Sequence, residues 1–494
     1  MIKIGKSVTK QQQNFWNHCI FHPTDAIEDP WGRRILDRIA EDKSIGMVRI
    51  YSMFEDIVCT DENGNLTYDF RLSDLRLDYL VEKGFDILIA YAGIPDFLSE
   101  SGGVKTSVSK NKTRYKGKMW NTAPPKDYGL WEEICYEYTK HIVQRYGIET
   151  VSKWRLHCFN EPDIPPFFRG DLGHSEEDYL TRCREYCQLY SGFERAVRRV
   201  SEQIRIGGPA LANVKIFFEG FLKYVKENNL KLDYIALHNY GTSPLKVNRG
   251  DRLAVESIIN THMEYLDIVK ANGFENTEII VDEWGAASAG FFNIEECPAF
   301  IFREHEVFSA YYAKLIRKMI DFDPNLSKLM ICLSGQHEMV VDFSGFRNFF
   351  TLNFIAKPIY NAYILASKLG TGLLSASCEN ENVSIVPTKT EAGDYAVLLS
   401  YSSQHFEEDI PTLMETVEFE DDIKDRTITV WCIDKNTTNP YRLYQKMGIA
   451  TPNDEQLKIL REEGRLKPVT VQKGSEPLVL SLTPNCTYLI TATE

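Results

Sequence analysis

Nowhere in the chain is there an apolar run of the ~18 residues that a membrane-spanning helix needs, and the opening stretch MIKIGKSVTKQQQNFW has no apolar core of signal-peptide length. The expectation is a protein that stays dissolved in the cytoplasm, where it is made. An excess of basic residues is missing too. With 56 Lys and Arg against 70 Asp and Glu, the net charge of −14 would repel nucleic acid and anionic membranes, which leaves a neutral or cationic ligand as the expected partner. A disulfide pattern is absent. Eleven cysteines, an odd number, scatter from Cys19 to Cys486, mostly inside apolar runs, and read as reduced small hydrophobes. Cys183 and Cys187 stand four apart on an expected helix, but no His or further Cys completes a ligand set, so no metal is expected there. No internal repeat or low-complexity linker interrupts the 494 residues, so any domains should be firmly docked.

What is present is a long alternation. Apolar segments of strand length occupy residues 15–21, 46–53, 85–93, 153–161, 204–211, 232–240, 277–285 and 328–335. Stretches of helical period fill 31–41, 73–83, 131–146, 176–203, 213–228, 253–272 and 305–321, with a last one at 357–368. Acids cluster at one start, Ser175-Glu176-Glu177-Asp178, where the positive end of a helix favours them. Strand then helix, eight times over, is the sequence form of an α/β protein built as a (β/α)8 TIM barrel, expected over 10–370. The alternative, an open doubly wound sheet, lacks a Gly-rich phosphate loop after its first strand. Gly207-Gly208-Pro209 reads as a turn.

Beyond about Leu373 the texture changes to short strands between polar turns, such as DYAVLLSYS, RTITVWCI and CTYLITAT. This suits a C-terminal antiparallel β-sandwich over 371–494. The segment MIKIG, in residues 1–9, is expected to pair with it. A helix near 453–464 interrupts the strands, with Asn453 as cap and Gln456 three positions on.

Two strand ends carry unusual chemistry. LHCFNEPDI places Asn160, Glu161 and Pro162 at the end of the fourth strand, and IIVDEWGA places Glu283 and Trp284 at the end of the seventh. In a closed barrel both acids face one mouth. Two carboxylates across a cleft, one protonated and one ionised, are what glycoside cleavage requires, with retention of configuration if they lie about 5–5.5 Å apart. A strand-end Glu more often just pairs with a base; the flanking residues argue otherwise. Asn160 is placed to donate to a sugar 2-hydroxyl, and Trp284 offers an apolar face for a sugar ring.

Supporting groups stand at other strand ends. Arg49 on the second strand either holds the seventh-strand carboxylate ionised or forms a salt bridge inside the barrel. His238 and Tyr240, alternate residues of LHNYG on the sixth strand, point the same way, so Tyr240 is expected to bond Glu283. Phe167, Phe168, Phe291 and Phe292 either line a sugar-binding mouth or pack under the loops. Glu338, after the eighth strand, is a third acid for substrate hydroxyls. Other classes fit less well: a binding protein that had lost catalysis would have lost one acid, and a metal-dependent lyase or an aldolase needs clustered ligands or a strand-end Lys.

On these motifs, and on WEEICYEYTKHIVQRYGIETVSKWRLHCFNEPD, DYIALHNYG, FIAKPIYNAYILASKLG and VWCIDKNTTNPYRLYQKMG, the chain resembles glycoside hydrolase family 39, the β-xylosidase and α-L-iduronidase family. The resemblance implies a retaining exo-glycosidase, most simply a β-xylosidase acting on short oligosaccharides, with Glu161 as general acid/base and Glu283 as nucleophile. Other family sugars (arabinoside, galactoside, iduronide) remain alternatives. It implies substrate contacts for Asn160, His238 and Tyr240, no cofactor, and a homo-oligomer as one possibility, since relatives include monomers and tetramers. The chain departs from the family pattern around the sugar pocket. Phe159 and Cys158 stand where Trp and Glu are usual, Tyr51 stands where His follows Arg, and MICLSGQHE lacks the eighth-strand Trp.

Overall fold

The computed structural model describes residues 1–21, 27–100, 105–107, 119–290, 292–334 and 339–494. Eight parallel strands close into a barrel, each pairing with the next in chain order and the last with the first. We label them β1 (His18–Phe21), β2 (Met47–Met53), β3 (Asp86–Ala92), β4 (Arg155–Cys158), β5 (Ile206–Leu211), β6 (Tyr234–Thr242), β7 (Glu278–Ala287) and β8 (Leu326–Leu333). Around them run α1 (Pro30–Glu41), α2 (Arg71–Glu82), α3 (Tyr128–Tyr146), α4 (Glu176–Val200), α5 (Lys215–Glu227), α6 (Glu256–Ala271), α7 (Glu306–Phe322) and α8 (Pro358–Ala366). Helix starts follow local chemistry. Ser175 and Asp178 form a capping box at the head of α4, and Asp29 caps α1, where Pro30 takes the first helical position.

Gly207–Pro209, read from the sequence as a turn, lie within β5. The glycine is there for proximity: a Cβ on Gly207 would come within 2.5 Å of the Tyr234 ring on the next strand.

The barrel interior is layered, as side chains from successive strands must be when every second residue points inward. Its lower layer is apolar: Met47, Leu88, Ala210, Tyr234, Ala236, Ile280 and Met330 form a closed cluster. Two residues further along β2 and β6 the inward positions become polar, with Arg49 and His238, and His157 of β4 joins them. Above these lies the mouth.

One irregularity aims the mouth. Leu237 of β6 pairs with Val281 and the next residue, His238, pairs with Glu283, so Asp282 has no partner of its own. Towards β8, Val281 pairs with Leu329 and Trp284 with Ile331, three steps against two. A β-bulge therefore sits at Asp282–Glu283. In an unbroken strand these two acids would point to opposite faces; the extra residue turns Glu283 to the same inward side as Asp282.

The second body is a nine-stranded, mostly antiparallel sheet. The N-terminal strand Ile2–Gln11 joins it, antiparallel to Gly372–Cys378 and, over Ile2–Ile4, parallel to Val417–Phe419. Residues from both ends of the strand order, such as Val417 and Val430, share one apolar cluster, so the sheet curls around its own core. Its other face packs on α7 and α8, with Leu398 and Leu489 in the barrel's outer core. Polar ties lock the junction: Asn439 Nδ2 donates to Glu306 Oε2 at 2.7 Å, and Lys314 Nζ to the Ser403 carbonyl at 2.8 Å. Two helices interrupt the strands, Pro440–Met447 and Asp454–Glu463, the second headed by an Asn453–Gln456 capping box. All eleven cysteines are free. Among the described residues no helix is long and apolar enough to cross a membrane.

Candidate active site

Glu161 stands three residues beyond the end of β4. Its backbone N–H donates to the Ala210 carbonyl at 3.0 Å. Phe159 (φ 68°) and Glu161 (φ 44°) both occupy the left-handed region, which costs a non-glycine residue energy. That pair of reversals swings Asn160 and Glu161 over the barrel axis. Phe159 is locked by Phe168 and by Trp120, each ring edge-on to it at 5.5 and 5.4 Å.

Glu283 arrives from the β7 bulge. One carboxylate oxygen of Glu161, one of Glu283 and a ring nitrogen of His238 all lie within 4.8 Å of one another. Arg49 Nη1 donates to Glu283 Oε1 at 2.7 Å, Tyr51 Oη to the same oxygen at 3.0 Å, and Tyr240 Oη to Oε2 at 2.7 Å. Arg49 Nη2 donates to Asn160 Oδ1 at 2.7 Å, and Tyr51 Oη, 2.8 Å from that same oxygen, shares its single proton between it and Glu283 Oε1. These contacts on Oδ1 fix the amide's orientation, and Asn160 Nδ2 is left to donate elsewhere. His238 Nδ1 lies 2.7 Å from Glu161 Oε1 and 3.6 Å from Glu283 Oε2.

The electrostatics separate the two acids. For Glu161, burial is the main influence and raises its pKa above the usual carboxylate range; the nearby negative charge of Glu283 adds to this, while the His238 bond opposes it. Burial pushes Glu283 the same way, but the charges of His238 and Arg49 and the Tyr240 bond outweigh it and hold Glu283 well below that range. The same cavity thus pushes the two acids in opposite directions, Glu161 up and Glu283 down. Glu161, His238 and Glu283 are also the one three-donor group among the described residues close enough to surround a cation. The guanidinium of Arg49 already meets that charge, so a hydrogen-bonded network accounts for the cluster.

The sequence model for glycosyl hydrolases family 39 matches residues 1–474. The chain belongs to that family. It is 25% identical over 491 residues to the β-xylosidase of Caldicellulosiruptor saccharolyticus, covering 96% of this chain and 93% of that one. It is 21% identical over 243 residues to human α-L-iduronidase, covering 46% of this chain and 32% of that one. Its fold matches the monomeric β-xylosidase of Caulobacter crescentus CB15 with a TM-score of 0.81 at 17% identity, over 100% of this chain and 99% of that one. This family 39 protein is a glycoside hydrolase with a TIM-barrel body, and its substrate is a glycoside.

The structure brings together Glu161, Glu283, Asn160, Arg49, Tyr51, His238 and Tyr240. Trp284 is a correction. Its ring is fully buried, stacked on Tyr312 of α7 at 5.6 Å, with Nε1 donating to Tyr363 Oη at 3.3 Å. It faces the helices because it follows an inward residue on the strand, so it offers no floor for a sugar. Phe168 is fully buried and packs under the loop, while Phe167 is half-buried, edge-on to Trp120 at 5.2 Å. Phe292 is also half-buried. Phe291 and Glu338 lie outside the described residues.

Three further residues escaped the sequence reading. Asp282 and His157 lie beneath the two acids, fully buried. Arg347, on the segment after β8, sits 4.9 Å from the Tyr240 ring centroid, and its Nη2 is 3.2 Å from Cys332 Sγ. Its charge adds to those holding Glu283 ionised. The alternation around Arg49 gave a hint of an inward charged layer; nothing in the sequence placed Arg347 near it.

Proposed function

We propose that this family 39 protein is a retaining, exo-acting β-xylosidase-like enzyme that cleaves short oligosaccharides by double displacement. Glu283 attacks the anomeric carbon while Glu161 protonates the departing oxygen; water activated by Glu161 then opens the glycosyl ester. Asn160 Nδ2 donates to the 2-hydroxyl of the sugar in the cleft. The observation that carries this reading is the approach of a Glu161 oxygen to a Glu283 oxygen within 4.8 Å, close to the retaining separation and well short of the roughly 6.5–9.5 Å that an interposed water needs. The opposite displacement of the two pKa values supports the division of roles. The choice of xylose draws on the names of the curated relatives that align over most of this chain.

The test is a panel of aryl glycosides differing in sugar (xyloside, arabinoside, galactoside, iduronide), with the anomer of the first product followed by NMR. Retention with the xyloside preferred is expected; an inverted first product would refute the double displacement. Glu161→Ala should lose roughly 10²–10⁴-fold on poor leaving groups and recover with azide. Glu283→Ala should lose turnover on every substrate.

A further inference from the structure

Asp282 is a buried carboxylate that the acid pair does not account for. It has no exposure to solvent, and neither of its oxygens accepts a hydrogen bond among the described residues. Burying such a group is costly unless charge of the opposite sign surrounds it. Its Oδ2 lies 3.2 Å from Arg49 Nε, 3.6 Å from His238 Nε2 and 3.6 Å from His157 Nδ1. Two residues after the inward Ile280, Asp282 lies under Glu283, which the bulge turns to the same side.

The His238 ring therefore spans two acids, with Nδ1 on Glu161 and Nε2 towards Asp282. We propose, resting on the acid/base role given to Glu161 above, that Asp282 is a positioning residue: it fixes the His238 ring against Glu161 and supplies the counter-charge that keeps this ring cationic.

The surroundings on every side bear on that charge. Arg49 and Tyr51 face the group from β2, His157 from β4 and Glu161 from the loop after it. Tyr234 and Tyr240 face it from β6, Glu283 from β7, Cys332 from β8, and Arg347 from beyond. Burial lowers His157 to about 3, helped by Arg49, so it is neutral. Burial would do the same to His238, but Glu283 and Asp282 reverse it and raise the ring to about 10. In direct contact, then, two cations (Arg49 and His238) balance two anions (Asp282 and Glu283), and that balance favours a neutral, protonated Glu161. Removing the Asp282 charge makes every neighbouring proton easier to lose, those of His238 and Glu161 included.

The test is 15N NMR of the histidine-labelled protein, with His238 assigned by its absence in His238→Gln. In the unaltered protein both ring nitrogens should stay protonated at pH 8. In Asp282→Asn the ring should titrate roughly 1–3 units lower, and Asp282→Glu should restore it. The alkaline limb of kcat/KM for a phenyl glycoside should move to lower pH in Asp282→Asn, while a dinitrophenyl glycoside, whose departure needs no acid, should be hydrolysed within a few-fold of the normal rate. A neutral His238 ring at pH 8 in the unaltered protein refutes the proposal even if Asp282→Asn does not fold, and an unshifted ring in a folded Asp282→Asn refutes it as well. A shifted ring with equal losses on both leaving groups would instead overturn the role of Glu161 and leave the Asp282–His238 charge pair standing.

Discussion

Replacing Arg49 by Met probes the whole arrangement at once, because one guanidinium touches four groups in the cavity. It is fully buried, bonds Glu283 and Asn160 at 2.7 Å each, lies 3.2 Å from Asp282 and is 3.3 Å from His157 Nε2. Met fills much of the same volume without charge. Breaking a buried pair by removing one partner costs about 3–5 kcal/mol, so a marked fall in denaturation midpoint is expected. The kinetic effect has a sign as well as a size. A cation at this distance lowers a carboxylate pKa by roughly 1–3 units, and its loss lets Glu283 rise by a similar amount. Since kcat/KM follows the ionised nucleophile of the free enzyme, its acidic limb should move to higher pH by roughly 1–3 units. Stability follows the same linkage. Glu283 is held below its ordinary 4.5, so the stability it contributes is present above that value and is lost as pH falls; Arg49→Met should flatten that acid-side loss. Arg49→Lys keeps a charge but not the fork, so it should hold the acidic limb near its original pH while weakening the hold on Asn160. The assay is kcat/KM against pH with an activated aryl glycoside, alongside denaturation at several pH values. An acidic limb that stays in place in a folded Arg49→Met would refute the idea that this guanidinium keeps Glu283 ionised.

Other substitutions separate chemistry from packing. Tyr240→Phe removes one hydrogen bond to a charged oxygen, worth about 1.5–3 kcal/mol, and should lower kcat/KM about ten- to a hundredfold with little change in melting temperature; an unchanged rate would detach Tyr240 from Glu283. Trp284→Ala should cost about 3–5 kcal/mol of stability, because the ring is packed between β7 and the helices, yet leave KM nearly as it was at low temperature. A large KM change at full stability would put this ring back in the sugar site. Gly207→Ala presses a methyl against Tyr234 and should destabilise by about 1–3 kcal/mol, read as a lower denaturant midpoint. Ser175→Ala removes the head of α4's capping box at a cost of about 1 kcal/mol, measured in the same way, without altering turnover.

Some of this molecule was legible in the order of its residues. Eight apolar segments separated by helical periods imply a closed barrel because strand and helix leave different repeats in sequence, and the Ser175 and Asn453 caps are local chemistry that needs no partner from afar. Glu161 and Glu283 stood out because each ends an apolar run beside unusual neighbours. His238 and Tyr240 were found by the rule that alternate residues of a strand share a face, and Arg49 by its place at the end of the second strand. Trp284 was misplaced because its closeness to Glu283 in sequence was weighed above that rule, which puts adjacent strand residues on opposite faces.

What only the tertiary structure decided is the meeting of groups far apart in the chain. Arg49 and Glu283 are 234 positions apart, and the ring of His157 meets that guanidinium from a third strand. A period of two cannot announce an inserted residue, so the bulge that turns Glu283 to the same side as Asp282 is invisible until the register with β6 and β8 is known. The chain's alternating pattern specified a barrel and placed two acids at its rim. The charge balance that separates those acids arises only where β2, β4, β6 and β7 converge, because the field at a buried carboxylate depends on distance through space and not on separation along the chain.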